Sequence, residues 1–260
     1  MVFDLDGVLY LDSQGIPGAG KALEEIAAMG WQLVFATNNS TKTPRTVAQH
    51  IQERTGFDPS GSHAVTSAGS AAEYVAGRHT TAHVVGSPAL KATLEDAGVS
   101  LDHDSDPGAV VVGLDRGLTY DDIDRASRLI RGGSEFVATN IDSTYPTPTG
   151  LSPGAGTIVA AIREASGIEP VNCGKPTPIF LSLVAEKIEA DPNVWMVGDR
   201  PETDIALAQA GGWTSVLALT GVTDSPEAVP ERFTPDHVVA SIADLPKLLT
   251  QSVGVQPGGG

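Results

Sequence analysis

Apolar and polar positions along this chain fall into short buried runs separated by stretches of helical periodicity. Val2, Phe3 and Leu5 flank two carboxylates, Asp4 and Asp6, before Gly7 breaks the run. That pattern reads as a buried strand ending in a tight turn. Ala22, Leu23, Ile26 and Ala27 have helical spacing, stopped by Gly30. Residues 31–36 (WQLVFA) read as a buried strand running into Thr37-Asn38-Asn39-Ser40. A helix from Pro44 turns Val47 and Ile51 inward and ends near Gly56. Ala64-Val65 is a short strand, followed by a small-residue helix over 67–76. This β-α-β-α-β-α rhythm predicts a parallel sheet with helices on both faces.

A second cycle opens near Thr80, with strands at 82–85 and 109–112 around a helix at 89–97. An amphipathic helix over 121–130 presents Ile123, Ala126, Leu129 and Ile130, and a strand at 135–138 ends in Thr139-Asn140-Ile141-Asp142. Residues 143–156 are rich in Pro, Gly and Thr and open a helix near Ala155. The last third resumes the first pattern. Gly174-Lys175-Pro176 precedes a helix carrying Ile179, Leu183, Val184 and Ile188; a strand at 194–197 runs into Gly198-Asp199-Arg200-Pro201-Glu202-Thr203-Asp204. A helix at 205–210, strands at 215–218 and 238–239, and a helix at 242–249 follow. Trp31, Trp195 and Trp213 flank strands and are expected in the core. The expectation is an α/β protein: a doubly wound parallel-sheet core built from 1–79 and 170–250, an α/β module inserted over 80–169, and a flexible Gly/Pro-rich tail at 251–260. Only three residues precede Asp4, short for a central strand, where about five or six is usual. The expectation is a start further upstream or a trimmed terminus.

Composition narrows the class. A chain of 260 residues suits two domains, and 41% hydrophobic with 18% charged residues is the balance of a folded globular protein. The net charge is −16, from 32 acidic and 16 basic residues. Such a field disfavours nucleic acid and anionic membranes, and an anionic substrate must be drawn by a local cation. The single Cys173 excludes an internal disulfide and a cysteine-rich metal site. With no charged-then-apolar leader and no apolar run of membrane-spanning length, a cytoplasmic protein is expected.

Three predicted strands therefore end in polar loops: Asp4/Asp6, Thr37/Asn38/Asn39 and Asp199/Asp204, with Lys175 at a helix start between the last two. In one parallel sheet these groups converge at its C-terminal edge, where ligands bind. Asp4 and Asp6, two apart on an extended segment, face one spot and repel unless a cation or a proton relieves them. Carboxylates without His or Cys select a hard cation such as Mg²⁺. The Thr37 hydroxyl, neighbouring backbone N–H groups and a Lys ammonium form a cradle for a phosphoryl group. One carboxylate can then attack phosphorus, and its neighbour can protonate the leaving oxygen and later activate water.

With these motifs in order (D-x-D-G-V-L, T-N-N-S, G-K-P and G-D-R-x-x-T-D-I), the sequence resembles the haloacid dehalogenase superfamily phosphatases. Within that superfamily it resembles the branch with p-nitrophenyl, phosphoglycolate and glycerol-3-phosphate phosphatases and NagD. The likeness spans essentially the whole chain and includes V-G-L-D-R with T-Y-D, and A-T-N-x-D followed by P-G-A-G. The resemblance implies Asp4 as nucleophile, Asp6 as general acid/base, Thr37 with Asn38 on the phosphoryl oxygens, and Lys175 between nucleophile and phosphate. It implies Mg²⁺ bound by the Asp4 carboxylate, the Asp6 carbonyl and Asp199, with Asp204 orienting the metal's waters. Asp6 favours phosphoester over carbon–halogen chemistry, because an alkoxide leaving group needs a proton and a halide does not.

Other positions stay open at this level. Asn39 and Ser40 serve as turn formers or as ligands, and Asn140 and Asp142 build an Asx-turn or touch substrate. Asp12, Asp104 and Asp106 read as loop acids. The inserted module resembles the family's α/β cap, whose members are often dimers through it, and the 140–153 loop is the part expected to reach substrate. The implied activity is Mg²⁺-dependent hydrolysis of a small phosphorylated metabolite: glycerol phosphate, phosphoglycolate, a sugar phosphate or a nucleotide. The alternatives are phosphotransfer from the same site and non-catalytic binding of a phosphometabolite.

Overall fold

The computed structural model describes residues 1–101, 106–147, 150–188 and 193–253. Asp104, part of the 140–153 loop and most of the 251–260 tail lie outside the described residues. The chain folds as two compact units: Met1–Thr37, Arg45–Ala64 and Val184–Gly260 form the first, and Asn38–Pro44 with Val65–Leu183 the second.

In the first unit the chain runs through β1 (Val2–Phe3), a small antiparallel hairpin of β2 (Tyr10–Leu11) and β3 (Gln14–Gly15), α1 (Ala19–Ala28) and β4 (Val34–Thr37). It continues with α2 (Pro44–Thr55) and β5 (His63–Thr66). In the second unit follow α3 (Ser67–Ala76), β6 (Thr81–Val85), α4 (Pro88–Asp96), β7 (Ser100–Leu101) and β8 (Ala109–Val112). Next come α5 (Tyr120–Arg131), β9 (Glu135–Ala138), β10 (Thr144–Thr147), β11 (Gly150–Pro153), α6 (Ala155–Ser166), β12 (Val171–Asn172) and α7 (Pro178–Glu186). Back in the first unit, β13 (Trp195–Gly198) leads through a π turn (Pro201–Ile205) into α8 (Ala206–Gly211), then β14 (Thr214–Ala218), β15 (His237–Val239) and α9 (Leu245–Val253).

The first sheet has the order β15-β14-β13-β1-β4-β5, with β1 parallel to both β13 and β4. The chain builds outward from β1 on one side and, after the second unit, from β13 on the other, so the winding direction reverses beside β1. Such a reversal opens a crevice at the strand C-termini. One face of this sheet is filled by Phe3, Phe35, Val197 and Val216 packed with Leu23 and Ile26 of α1 and Ile51 of α2. Of the three tryptophans, Trp195 is buried, while Trp31 and Trp213 are half-buried.

The second sheet, β12-β9-β8-β6-β7, is parallel throughout. The run Ala109-Val110-Val111-Val112 is buried at every position. Period-two alternation explains why. Ala109 and Val111 pack with α3 and α4, whereas Val110 and Val112 pack with Ala126 and Ile130 of α5 and Ile158 and Ile162 of α6.

The structure confirms the α/β class and departs from the sequence reading in detail. The 140–153 stretch, read as a loop, contains the antiparallel hairpin β10–β11, with Thr144 paired to Pro153 and Thr147 to Gly150. The helix read as starting at Ile205 is preceded by the π turn, and the 31–36 strand begins only at Val34. Among the described residues no helix is long and apolar enough to cross a membrane.

Candidate active site

Register brings the first two acidic motifs together. Phe3 is paired with Val197, and the Asp4 N–H donates to Val197 O at 2.8 Å, so Asp4 leaves β1 beside the end of β13. Asp199 follows β13 directly, and the π turn returns Asp204 to the same place, where Arg200 N donates to Asp204 Oδ2 at 3.1 Å. Asp4, Asp199 and Asp204 are all buried, and one carboxylate oxygen from each lies within 4.8 Å of the others.

The backbone is wrapped closely around two of these acids. Val222 N donates to Asp199 Oδ2 at 2.6 Å, and the Thr220 hydroxyl donates to Gly7 O at 2.6 Å. Gly7 has φ 91°, and a Cβ there would lie 2.4 Å from Asp199 Oδ2; at Gly221 the distance would be 1.9 Å. Gly198 is likewise closed to a side chain, since its Cβ would meet Asp204 Cβ at 2.1 Å. The loop after β14 is thus a further part of the site, and sequence reading missed it. Its one local signal is Thr220-Gly221 soon after a buried strand.

Asp6 sits half-exposed at an isolated bridge with Tyr10, where Gly7 N donates to Tyr10 O at 2.8 Å. Burial, then the carboxylates of Asp6 and Asp4, push the Tyr10 phenol up, so that it stays protonated. The Arg54 guanidinium lies 4.8 Å from the centre of the Tyr10 ring, a cation against its π face. Thr37 is buried at the end of β4.

Of the remaining predicted residues, Asn38, Asn140, Asp142 and Lys175 gather in the second unit as one hydrogen-bonded group. Asn38 Nδ2 donates to both Asp142 oxygens, at 3.3 and 3.1 Å, and Asn38 Oδ1 accepts from Lys175 N at 2.7 Å. Asn38 O accepts from Asn140 Nδ2 at 2.8 Å and from the Ser67 hydroxyl at 2.6 Å. Asn140 Oδ1 accepts from Asp142 N at 3.1 Å, which is the Asx-turn. Lys175 is buried, and its bond to Pro176 is cis. Asn39 Oδ1 accepts from both the backbone and the hydroxyl of Thr41, at 2.8 and 2.7 Å, a turn-forming arrangement. Ser40 O accepts from the Ser87 hydroxyl at 3.1 Å.

Three buried carboxylates converging on one point are the donor set of a hard divalent cation, and among the described residues no sulfur or imidazole joins the cluster to attract a softer one. The sheet reversal, this acidic pocket and the polar loops define a class. The chain belongs to the haloacid dehalogenase-like hydrolase family: residues 1–100 match that family's model, and residues 172–245 match a second, HAD-hydrolase-like model. Within the family it falls in the phosphatase branch that includes NagD and the p-nitrophenyl phosphatases. A dihydroxyacetone phosphatase of Corynebacterium glutamicum is 36% identical over 245 residues, which span 93% of this chain and 88% of that protein. The 4-nitrophenylphosphatase of Thermotoga maritima matches in structure with a TM-score of 0.87 and 34% identity over 95% of each chain. The glycerol phosphate phosphatase of Mycobacterium tuberculosis, solved in complex with magnesium, gives a TM-score of 0.84 and 34% identity over 94% of this chain and 76% of that one.

Proposed function

We propose that this chain is a Mg²⁺-dependent, cytoplasmic phosphomonoesterase that hydrolyses small phosphorylated metabolites through a phosphoaspartate on Asp4. The observation that carries this reading is the convergence of Asp4, Asp199 and Asp204, buried, within 4.8 Å. Glycerol, dihydroxyacetone and sugar phosphates are the substrate class, in keeping with the names of the relatives. Residues 80–169 act as the cap that sets specificity.

An Asp4 carboxylate oxygen attacks phosphorus, and the bond from phosphorus to the ester oxygen breaks. Asp6 gives its proton to that departing oxygen, releasing an alcohol. Asp6 then takes a proton from water, whose oxygen attacks phosphorus; inorganic phosphate leaves, and the Asp4 carboxylate and the Asp6 acid are restored. Thr37 holds phosphoryl oxygens through its hydroxyl and Asn38 through its backbone, since the Asn38 side chain is occupied by Asp142 and Lys175. The Lys175 ammonium offsets charge between carboxylate and phosphate. Asp4, the Asp6 carbonyl and Asp199, with Asp204 beside them, would hold Mg²⁺, which would supply the charge neutralisation that an anion attacking an anion needs. Uncatalysed phosphomonoester hydrolysis is so slow that enzymes of this kind reach accelerations of roughly 10²¹-fold, so the site needs the metal, the nucleophile and the acid together.

The test is phosphate release from a panel of small phosphomonoesters, with Mg²⁺ or EDTA, for wild type and Asp4→Asn. Turnover that needs Mg²⁺ and vanishes in Asp4→Asn is expected. Turnover indifferent to both would sink the mechanism.

A further inference from the structure

Asn38 has two polar side-chain ends, and both are fixed from outside. Its Oδ1 faces the N–H of Lys175 at 2.7 Å, which can only donate, and its Nδ2 faces the two Asp142 oxygens, at 3.1 and 3.3 Å. The amide orientation follows from those partners, because reversing it would set N–H against N–H and oxygen against carboxylate. Nδ2 also lies 3.5 Å from Lys175 O, so the side chain brackets the lysine's backbone. Space is as restricted as polarity. A Cβ on Gly174 would lie 2.9 Å from Asn38 Oδ1 and 2.7 Å from Asn140 Cβ, so nothing larger than glycine fits beside the bracket.

We infer that Asp142 is a positioning residue: its carboxylate orients the Asn38 amide, which in turn sets the backbone of Lys175 and with it the start of the lysine side chain. Asp142 acts through Asn38 and does not contact the substrate. A hydrogen bond to a charged acceptor is stronger than one between neutral groups, so the Asp142 carboxylate is the anchor of the chain of contacts. Asn140 supports it twice, accepting from Asp142 N and donating to Asn38 O. The inference rests on the catalytic reading of Lys175 given above only for its kinetic consequence, not for the geometry.

The pair is tested by exchanging its members. Asn38→Asp sets two carboxylates against each other, and Asp142→Ala removes the acceptor. Each variant should lower kcat by about 10- to 100-fold, the usual effect of losing a charged hydrogen bond, while KM moves less than about threefold. The double variant Asn38→Asp with Asp142→Asn restores one donor and one acceptor with the roles reversed, and should bring kcat back to within about fivefold of wild type. Amide hydrogen exchange across 174–177 should quicken in both single variants and slow again in the double one. A merely structural loss would not be rescued by the reversed pair. A rise in KM of more than about tenfold on Asp142→Ala at constant kcat, with no rescue, would place Asp142 on the leaving group and overturn the inference. Unaltered exchange at Lys175 in Asn38→Asp would overturn it equally. If the wild-type chain releases no phosphate from any substrate, the proposed function fails, while the exchange measurements still decide the pair.

Discussion

Around Asp199 the decisive residues have no side chain at all. Gly7 and Gly221 approach the carboxylate so closely that a methyl group on either would overlap its oxygen, and Gly7 also holds a φ that favours glycine. The acid is thereby fixed by backbone and not by bulky neighbours. Gly221→Ala is expected to displace Asp199, to lower the unfolding free energy by about 1–3 kcal/mol, and to weaken Mg²⁺ binding more than about tenfold by calorimetry. Wild-type affinity in that variant would show that Asp199 does not bind the metal from this position.

At the scale of elements, the edge strand β15 is pinned by one carboxylate. Asp236 Oδ2 accepts from the backbone and the hydroxyl of Ser215, at 2.8 and 2.7 Å, and the Ser215 hydroxyl accepts from Asp236 N at 2.9 Å. These bonds, the backbone one first, hold the Asp236 carboxyl below its ordinary 3.8. A depressed carboxyl contributes stability above its unfolded value and loses it as pH falls through the folded one. Wild type should therefore lose part of its stability below pH about 4, and Asp236→Asn should show a shallower acid transition in urea melts taken from neutral pH to pH about 3. Equal slopes would remove the assignment.

Elements differ in how far the sequence announces them. The parallel strands were legible because buried runs such as Ala109-Val110-Val111-Val112 are apolar throughout; the D-x-D, T-N-N-S and G-D-R motifs were legible because each ends such a run, and G-K-P because it precedes a helix. The β10–β11 hairpin was not: its Pro, Gly and Thr composition has no period, and a two-stranded ribbon places no demand for one. Contacts distant in sequence were hidden as well. Nothing near Asp199 forecasts Val222, and although the motifs bring Asn38 and Lys175 to one place, nothing near Asn38 forecasts its bonds to Asp142 and to the Lys175 N–H, since these pairings exist only once the sheets are built.

For the molecule as a whole, net charge −16 combines with three carboxylates buried together in the first unit. Like charges at such a distance repel, and a cation among them relieves the repulsion. Saturating Mg²⁺, at about 100 times its dissociation constant, contributes about 2.7 kcal/mol to the state that binds it. For a unit of this size that raises Tm by roughly 5–10 °C. Asp204→Asn should melt higher than wild type without metal and gain little from adding it, as read by calorimetry. A Tm that ignores Mg²⁺ in wild type would argue against a metal among these three acids.

The division of the chain also bears on how such proteins exchange parts. The second unit is not one continuous cassette: Val65–Leu183 supplies most of it, but Asn38–Pro44 belongs to it as well, separated by a segment of the first unit. A chimera that transplants only 65–183 from a relative would bring its own counterparts of Asp142 and Lys175 and leave the native Asn38 to meet them. Recombination between family members is therefore constrained at a site well outside the obvious crossover points. A graft that carries 38–44 along with the long insert keeps the bracket and its lysine in one lineage.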